Sequence, residues 1–325
     1  MRPSQKNREK WLWITDPWDT LDIPNDTSLR LLYAGFELGV EQSWCDVRSI
    51  RMEGPQILLD AKSCIEVGLF SESKQCTPDG SNGGFSKLFY RTDPPVDQSY
   101  LHPLQILRLG MKNSKNCELV NPFDVLVSSN EKMEAFAVDG LMPPSIVSSQ
   151  FAALFAFCQR EKRSVLKPLH LAQSLGVELI DFTNAESTKK SQELIAQATQ
   201  SFTRPVLIQK YLPGIIKDGE TRLWFLDGTL LASARKCPLK NDFRVNMDQG
   251  SRLISRPLMS REKKTAAKIA RHLKRSKIRL AAVDLIDGLI TDFNFTSPGL
   301  IVQMESLLNQ DLASKIVKRL HSHRF

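Results

Sequence analysis

The run Leu280-Ala281-Ala282-Val283-Asp284-Leu285-Ile286, the pair Asp287-Gly288 and the run Leu289-Ile290-Thr291-Asp292-Phe293-Asn294 decide how this chain folds. Two apolar stretches flank an Asp-Gly pair, the pattern of a β-hairpin. Acids interrupt both stretches. A buried carboxylate without a partner is costly, so Asp284 and Asp292 need either hydrogen-bond donors or a cation. Magnesium, a hard ion that takes oxygen ligands, is one such cation. Turn geometry separates the outcomes. A two-residue turn pairs Ile286 with Leu289 and sends Asp284 and Asp292 to opposite faces. A three-residue turn, with Gly288 left-handed, pairs Leu285 with Leu289 and puts Asp284, Asp292 and Asn294 on one face. The second arrangement makes a metal site and the first makes separate hydrogen-bonded acids. The pattern alone leaves both open.

Just upstream, a second hairpin pattern, strands around 221–226 and 229–234, turns at Asp227-Gly228. Arg222 and Arg235 lie on or beside it, with Arg244 and Arg252 beyond. Guanidinium forks match phosphate and carboxylate oxygens, although ion pairs on a sheet surface use the same residues. Lys167 sits on the apolar strand Ser164-Val165-Leu166-Lys167-Pro168, and Lys132 follows Asn130-Glu131. A strand lysine facing a cleft can hold a phosphate as a point charge; a surface lysine is the competing reading. Helices are expected over 150–160 and 186–199, and a strand at Val206-Leu207-Ile208. The N-terminal part alternates. Trp11 to Thr15 reads as a strand. Leu29, Leu32, Tyr33 and Phe36 mark a helix capped by Asp26 or Thr27 and ending near Gly39. Val47 to Met52 read as extended, residues 71–86 as a flexible loop, and Leu88-Phe89-Tyr90 as a strand. Such alternation predicts an α/β lobe with a parallel sheet. The expected division is 1–120, 121–205 and 206–325, the last built on antiparallel hairpins.

Composition removes several function classes. The chain has 325 residues, 42% of them hydrophobic, which suits two or three lobes with real cores. No apolar run approaches the ~20 residues that span a bilayer. Trp11-Leu12-Trp13-Ile14 is too short for a signal peptide and is soon followed by Asp16 and Asp19, so a cytoplasmic location is expected and no membrane partner. The six cysteines form no CxxC pair and read as reduced thiols. The net charge is +8, and residues 261–279 carry nine Lys or Arg against one acid, Glu262. Ala266, Ile269, Ala270 and Leu273 fall at helical spacing there, giving an amphipathic helix with a basic face. No aromatic residue interleaves with these cations to stack on bases, so a solvated face is expected rather than a nucleic-acid partner. Walker A, G-x-G-x-x-G, G-x-S-x-G and H-E-x-x-H patterns are absent.

The order of motifs over roughly residues 13–305 resembles that of bacterial glutathione synthetases, ligases of the ATP-grasp fold. Asp16-Pro17 and Ile23 to Ser28 resemble that family's Asp-Pro segment and the turn after it. Arg91-Thr92-Asp93-Pro94-Pro95-Val96-Asp97 is similar to its Arg-x-Asp-Pro-Pro-x-Asp motif. The resemblance implies ATP-binding residues Lys132, Lys167, Gln209, Lys210, Tyr211 and Leu212, the last four at a hinge that meets adenine. It implies catalytic arginines Arg222, Arg235 and Arg244, and substrate contacts from Asp16, Asp26, Ser28, Arg91, Asn246 and Ser297. It also implies Asp284, Asp292 and Asn294 as ligands for Mg2+ (or Mn2+), with ATP as co-substrate. The implied architecture is α/β (α+β): an N-terminal parallel-sheet pre-ATP-grasp substrate lobe over 1–120, a lid over 121–205, and a C-terminal antiparallel-sheet lobe over 206–325. The implied reaction joins γ-glutamylcysteine and glycine through an acylphosphate, in a homo-oligomer acting on a small-molecule or peptide substrate.

The chain departs from the family pattern in three places. After Lys167-Pro168 the family carries a glycine-rich loop, where this chain has His170-Leu171-Ala172-Gln173-Ser174 and no glycine before Gly176. Side chains hinder close backbone approach to phosphates and make positive φ costly. The family's Gly-Gly-Arg-Gly stretch is Gly250-Ser251-Arg252-Leu253, and its second acidic ligand, usually glutamate, is Asp292. Two alternatives therefore stand beside the main reading: a related ligase with another peptide or protein acceptor, and a non-catalytic nucleotide-binding homologue.

Overall fold

Contacts along the chain divide it into two units, Met1–Ser128 with Lys277–Leu280 and Phe295–Phe325, and Ser129–Ser276 with Ala281–Asn294. The computed structural model describes residues 9–78, 84–111, 117–240, 242–245, 247 and 250–322.

The first unit holds strands β1 (Lys10–Thr15), β2 (Glu41–Asp46), β3 (Arg51–Glu53), β4 (Gln56–Glu66), β5 (Leu69–Phe70), β6 (Lys74–Cys76), β7 (Lys87–Tyr90) and β8 (Glu118–Val120). Its helices are α1 (Thr27–Glu37), α2 (Gln98–Met111), α3 (Phe123–Ser128), and two more at Ile301–Leu308 and Leu312–Ser322. The sheet order is β3-β4-β2-β1-β7-β8, with β5 and β6 on β4. β1 is parallel to both β2 and β7, and β7 to β8, whereas β4 runs antiparallel to β2. A central parallel strand is covered on both faces, which is why β1 is apolar at nearly every position. Trp13 stacks on Phe89 with ring centroids 3.9 Å apart in this core. Asp26 caps α1 by accepting from Leu29 N at 2.7 Å. Extended structure occupies Glu41–Asp46; of the expected extended run 47–52, Arg51 and Met52 lie in β3, and Val47–Ser49 form a 3-10 turn instead. There the Asp46 side chain accepts from Arg48 N and ends the strand. Residues 79–83 of the expected 71–86 loop lie outside the described residues, and Lys74–Cys76 within it pairs as β6.

The second unit holds two sheets. The four-stranded one contains β9 (Ser145–Ser148), β10 (Arg163–Pro168), β11 (Glu178–Asp181) and β12 (Val206–Lys210), in the order β11-β10-β12-β9 with antiparallel neighbours. Helices α4 (Phe151–Glu161) and α5 (Ala185–Ala198) cover one face, where Leu154, Phe157, Leu166, Ile180, Ile195 and Ile208 form a core. α6 (Gly214–Asp218) leads into the five-stranded sheet. That sheet contains β13 (Glu220–Leu226), β14 (Thr229–Cys237), β15 (Arg252–Ile254), β16 (Leu280–Ile286) and β17 (Leu289–Asn294), in the order β15-β14-β13-β16-β17. The basic segment is helix α7 (Ser260–Arg275). It buries Ala266, Ile269 and Leu273 and exposes its lysines and arginines, the division that its spacing predicts.

Candidate active site

Two hairpins build one wall of a cleft in the second unit, and in each a single extra residue decides which side chains face it. In β16–β17 the turn has two residues: Asp287 and Gly288 both have positive φ, and Ile286 pairs with Leu289. By parity this alone would separate the acids. The register then shifts: Leu285 pairs with Ile290, and Asp284 with Asp292. Thr291 is the extra residue of a β-bulge, and the bulge returns Asp292 and Asn294 to the face of Asp284. A two-residue turn and a shared face therefore coexist, a combination that the choice between two turns did not contain.

The β13–β14 hairpin repeats the device. Asp227 and Gly228 have positive φ, Leu226 pairs with Thr229, and the register shifts between Trp224 and Phe225, leaving Leu231 unpaired. Beyond the shift, Glu220 pairs with Lys236 and Thr221 with Arg235. Lys236 thus shares a face with Glu220 and Arg222, and Arg235 faces away. There Arg235 donates to Glu262 Oε1 of α7 at 2.9 Å and to Thr221 Oγ1 at 3.0 Å. The expectation that Arg235 reaches the cleft is corrected by this bulge: Lys236 takes that place. Lys236 and Glu220 were not singled out from sequence, although the i, i+2 relation of Glu220 to Arg222 was a signal for the acid.

The wall carries a dense charge network. Asp284 is 3% exposed and accepts from Arg222 Nε at 2.9 Å, Arg222 Nη2 at 2.7 Å and Lys236 Nζ at 3.0 Å. Burial alone would raise its carboxyl, but the Arg222 guanidinium and Lys236 ammonium outweigh burial and hold it well below the usual carboxylate range. Lys236 also meets Glu220 Oε2 at 2.6 Å. The bulged Thr291 donates its hydroxyl to Glu220 Oε1 at 2.9 Å, and Asn294 Nδ2 donates to Ala282 O at 3.1 Å. Asp292 Oδ1 is buried and has no hydrogen-bond partner.

The facing wall comes from β10, β12 and the Asn130–Lys132 segment. Strand parity turns Leu166 into the helix-covered core, and Val165 and Lys167 toward the cleft. Gln209, in register with Val165, joins them. Lys167 Nζ donates to Thr291 O at 2.7 Å and so reaches the opposite hairpin at its bulge. Burial depresses the Lys167 ammonium pKa, with Asp292 and Glu220 opposing. Lys132 is 5% exposed and donates to Leu171 O. The cleft, about 140 Å³, is lined by Lys132, Lys167, Gln209, Lys210, Tyr211, Leu212, Arg222, Arg244, Asp284, Asp292 and Asn294 among others. At the hinge the Lys210 and Tyr211 N–H groups donate to Pro144 O and Arg163 O, and the Lys210 ammonium turns to Glu161 at 3.3 Å. The exposed Arg244 pairs with Asp242 instead of the buried network. Asn246 lies outside the described residues.

In the loop 169–177, Gln173 and Ser174 adopt positive φ, 54° and 62°, without being glycines. Asn130 donates to Leu169 O at 2.8 Å, and Ser174 Oγ to Val245 O at 3.3 Å. The loop thus takes a backbone form that favours glycine and is tied down by side-chain contacts.

In the first unit, Asp16 and Arg91 follow the carboxyl ends of adjacent parallel strands β1 and β7, where open α/β sheets place ligands. Arg91 donates to Ser28 Oγ at 2.8 Å and Pro298 O at 3.0 Å, and Ser297 Oγ to Arg91 O at 3.3 Å. Asp16 Oδ2 accepts from Asp93 N at 2.8 Å, while Asp26 is engaged as the α1 cap. Loss of hydration and then the Asp16 carboxylate push the Asp93 carboxyl up to about 6.

The cleft face offers oxygen donors that suit a hard divalent ion: the Asp284 carboxylate, the unpartnered Asp292 Oδ1 and the Asn294 side-chain carbonyl. Among the described residues no group of three or more His, Cys, Asp and Glu is placed to hold a metal ion, the cleft set being two carboxylates and an amide. The prokaryotic glutathione synthetase N-terminal domain matches residues 10–126 and the ATP-grasp domain of the same enzymes matches residues 131–309. The chain belongs to the prokaryotic glutathione synthetase family. It is 30% identical to the glutathione synthetase of Prochlorococcus marinus MIT 9313, over 95% of this chain and 97% of that protein. It is also 30% identical to the glutathione synthetase of Synechococcus elongatus, over 96% and 98% of the two chains. Among solved structures, the D-cycloserine synthetase DcsG superposes with TM-score 0.65 at 16% identity, over 95% of this chain and 99% of that one. The ATP-grasp ligase PsnB with its minimal precursor gives TM-score 0.64 at 14% identity, over 98% and 99%. The fold is therefore ATP-grasp, and the glutathione synthetase family makes the chain an ATP-dependent ligase that forms C–N bonds. No described helix is long and apolar enough to cross a membrane.

Proposed function

We propose that the protein condenses γ-glutamylcysteine with glycine at the expense of ATP, as a homo-oligomer in the cytoplasm. The observation that carries the reading is the meeting, in one cleft, of Lys132 and Lys167 with the Asp284, Asp292 and Asn294 face. Lys132 and Lys167 hold the nucleotide phosphates as point charges, and the hinge Gln209 to Leu212 receives the base. Arg222 and Lys236, locked onto Asp284 in the free protein, offset charge as the substrate carboxylate attacks the γ-phosphate. The acylphosphate so formed is opened by the glycine amine, which expels phosphate. Asp284, Asp292 and Asn294 would hold Mg2+ or Mn2+, which when bound neutralises phosphate charge. PsnB has been solved with Mg and ADP, which supports a divalent ion in this fold. Arg244 is placed to swing from Asp242 toward the phosphates, and Arg235 keeps a supporting role on the far face. Asp16, Ser28, Arg91 and Ser297 bind the carboxylate substrate in the first unit, where Asp26 fixes the helix that carries Ser28.

The test supplies γ-glutamylcysteine, glycine, ATP and magnesium and measures ADP and tripeptide together. Tripeptide at a rate stoichiometric with ADP is the expected result. ADP release only with another acceptor would make the protein a ligase of different specificity. Nucleotide binding without turnover on any acceptor would make it a non-catalytic homologue. The positive φ at Gln173 and Ser174 favours the active reading, because the loop keeps the backbone form that glycines would provide.

A further inference from the structure

Lys132 owes its place to a segment bonded both to β17 and to α7, whose Glu134–His272 contact is outside the cleft lining. Glu131 O accepts from Phe293 N of β17 at 3.2 Å, and Asn130 O accepts from both Met133 N and Glu134 N, closing a tight turn around Lys132. Glu134 begins a 3-10 turn, Glu134–Ala137, and its Oε1 lies 2.7 Å from His272 Nε2 on α7. His272 is 5% exposed, and its ring meets the edge of Phe293 with centroids 6.0 Å apart. Arg275 Nη2 and Ser276 Oγ complete its surroundings at 3.4 and 3.5 Å. Lys268, one turn earlier on α7, donates to Asp139 O at 3.3 Å and ties down the far end of the same segment. Neither Glu134 nor His272 lines the cleft.

We infer that the Glu134–His272 pair is a positioning device for Lys132, clamping its segment onto α7 and β17 so that the ammonium is presented to the nucleotide phosphates. This rests on reading the cleft as the nucleotide site. The physical reason lies in what Lys132 lacks. Its ammonium sits at the end of four rotatable bonds and donates to Leu171 O of a loop, so its place relative to the opposite wall depends on how its backbone is held. The backbone here is a short turn between helix α3 and the 3-10 turn Glu134–Ala137, with no sheet ladder of its own. Besides the Asn130 side chain's bond to Leu169 O, it is held by a main-chain bond to the strand bearing Asp292 and Asn294 and by the buried carboxylate–imidazole contact to α7. The pair thus links the basic helix to the lysine on the other side of the sheet. Removing either partner breaks the turn's side-chain tie to α7 and lets the turn shift on the bonds that remain. A displacement of the lysine by an ångström or so weakens phosphate binding by about tenfold or more.

The experiment measures binding of a non-hydrolysable ATP analogue with magnesium to the full chain by calorimetry, alongside thermal denaturation. Glu134→Ala and His272→Ala should each weaken binding about tenfold, and the double variant should lose no more than either alone. Glu134→Gln, which keeps a hydrogen bond to the imidazole, should bind like wild type. Ile269→Val, on the buried face of the same helix, lowers stability without touching the turn and should leave affinity unchanged. If Glu134→Ala does not fold, Glu134→Asp, whose carboxylate falls short by one methylene, gives the same comparison. Wild-type binding with Glu134 and His272 variants of equal affinity, or an equal loss in Ile269→Val, would overturn the inference alone. A wild-type protein that binds no nucleotide would remove the reading of the cleft and this inference with it.

Discussion

Replacing Asp284 by asparagine tests whether the cleft wall is organised by charge. The Asp284 carboxylate accepts both forks of Arg222 and the Lys236 ammonium, and all three residues are less than a tenth exposed. Lys236 keeps Glu220 at 2.6 Å, so the residue stranded by the change is Arg222. An uncompensated buried guanidinium costs about 3–5 kcal/mol, and in a folding unit of the size of Ser129–Ser276 with Ala281–Asn294 each kcal/mol lowers Tm by about 2–4 °C. The expected fall is therefore about 6–20 °C in a calorimetric or fluorescence melt at pH 7. The pH dependence carries a sign of its own. A carboxyl held below its unfolded value of ~3.9 contributes stability above that value and loses it as pH falls further. The wild type should thus lose its advantage over Asp284→Asn below about pH 4. A paired change sharpens the test: Asp284→Leu with Arg222→Met removes both charges and should recover most of the lost stability while abolishing ADP release. A melting shift of Asp284→Asn under about 2 °C, or turnover in the double variant, would refute the account of this wall.

Further changes probe other parts of the cleft. Burial lowers the Lys167 pKa, so the unfolded chain binds more protons just below pH 10.5 and stability should rise with pH there. Lys167→Met should remove that slope in urea titrations, raise stability at pH 7 and abolish nucleotide turnover. Gln173→Gly and Ser174→Gly relieve positive φ in side-chain-bearing residues and should each stabilise the protein by up to about 1 kcal/mol, read by urea denaturation. Arg244→Ala loses only an exposed pair and should change stability by less than about 0.5 kcal/mol. Its ADP production should nevertheless fall by about 10²-fold or more if Arg244 reaches the transferred phosphate.

Elements whose signals are local were legible in the sequence. The apolar strand β1, the Asp26-capped helix α1, the alternating strand β10 and both Asp-Gly turns follow from spacing and turn chemistry alone. What escaped was register. The bulges at Thr291 and near Leu231 are set by pairing with a distant strand, and neither falls on a glycine that would advertise it. Uninterrupted pairing from Asp227-Gly228 would have put Arg235 opposite Glu220, on the cleft face. One extra residue reverses that and brings Lys236 instead. The acids Asp284 and Asp292 could be singled out because carboxylates in apolar strands stand out. Glu220 stands out less, its i, i+2 relation to Arg222 being its one local mark, because it precedes its strand's apolar run. The return of residues 295–325 to the first unit is equally invisible to local pattern, since their helices are amphipathic whichever core they cover.

Because the β16–β17 hairpin belongs to a unit whose other residues end at Ser276, and is flanked on both sides by chain of the first unit, neither unit is one unbroken segment. β16 lies between β13 and β17 in its sheet. A polypeptide emerging from the ribosome therefore carries the cleft lysines Lys132 and Lys167 for more than a hundred residues of synthesis, and β13 and β14 for part of that span, before Asp284 and Asp292 appear. A chain stopped short of Ala281 would carry β13, β14 and β15 without the two strands that bring Asp284, Asp292 and Asn294, so the acidic face is laid onto a sheet whose other strands are already synthesised.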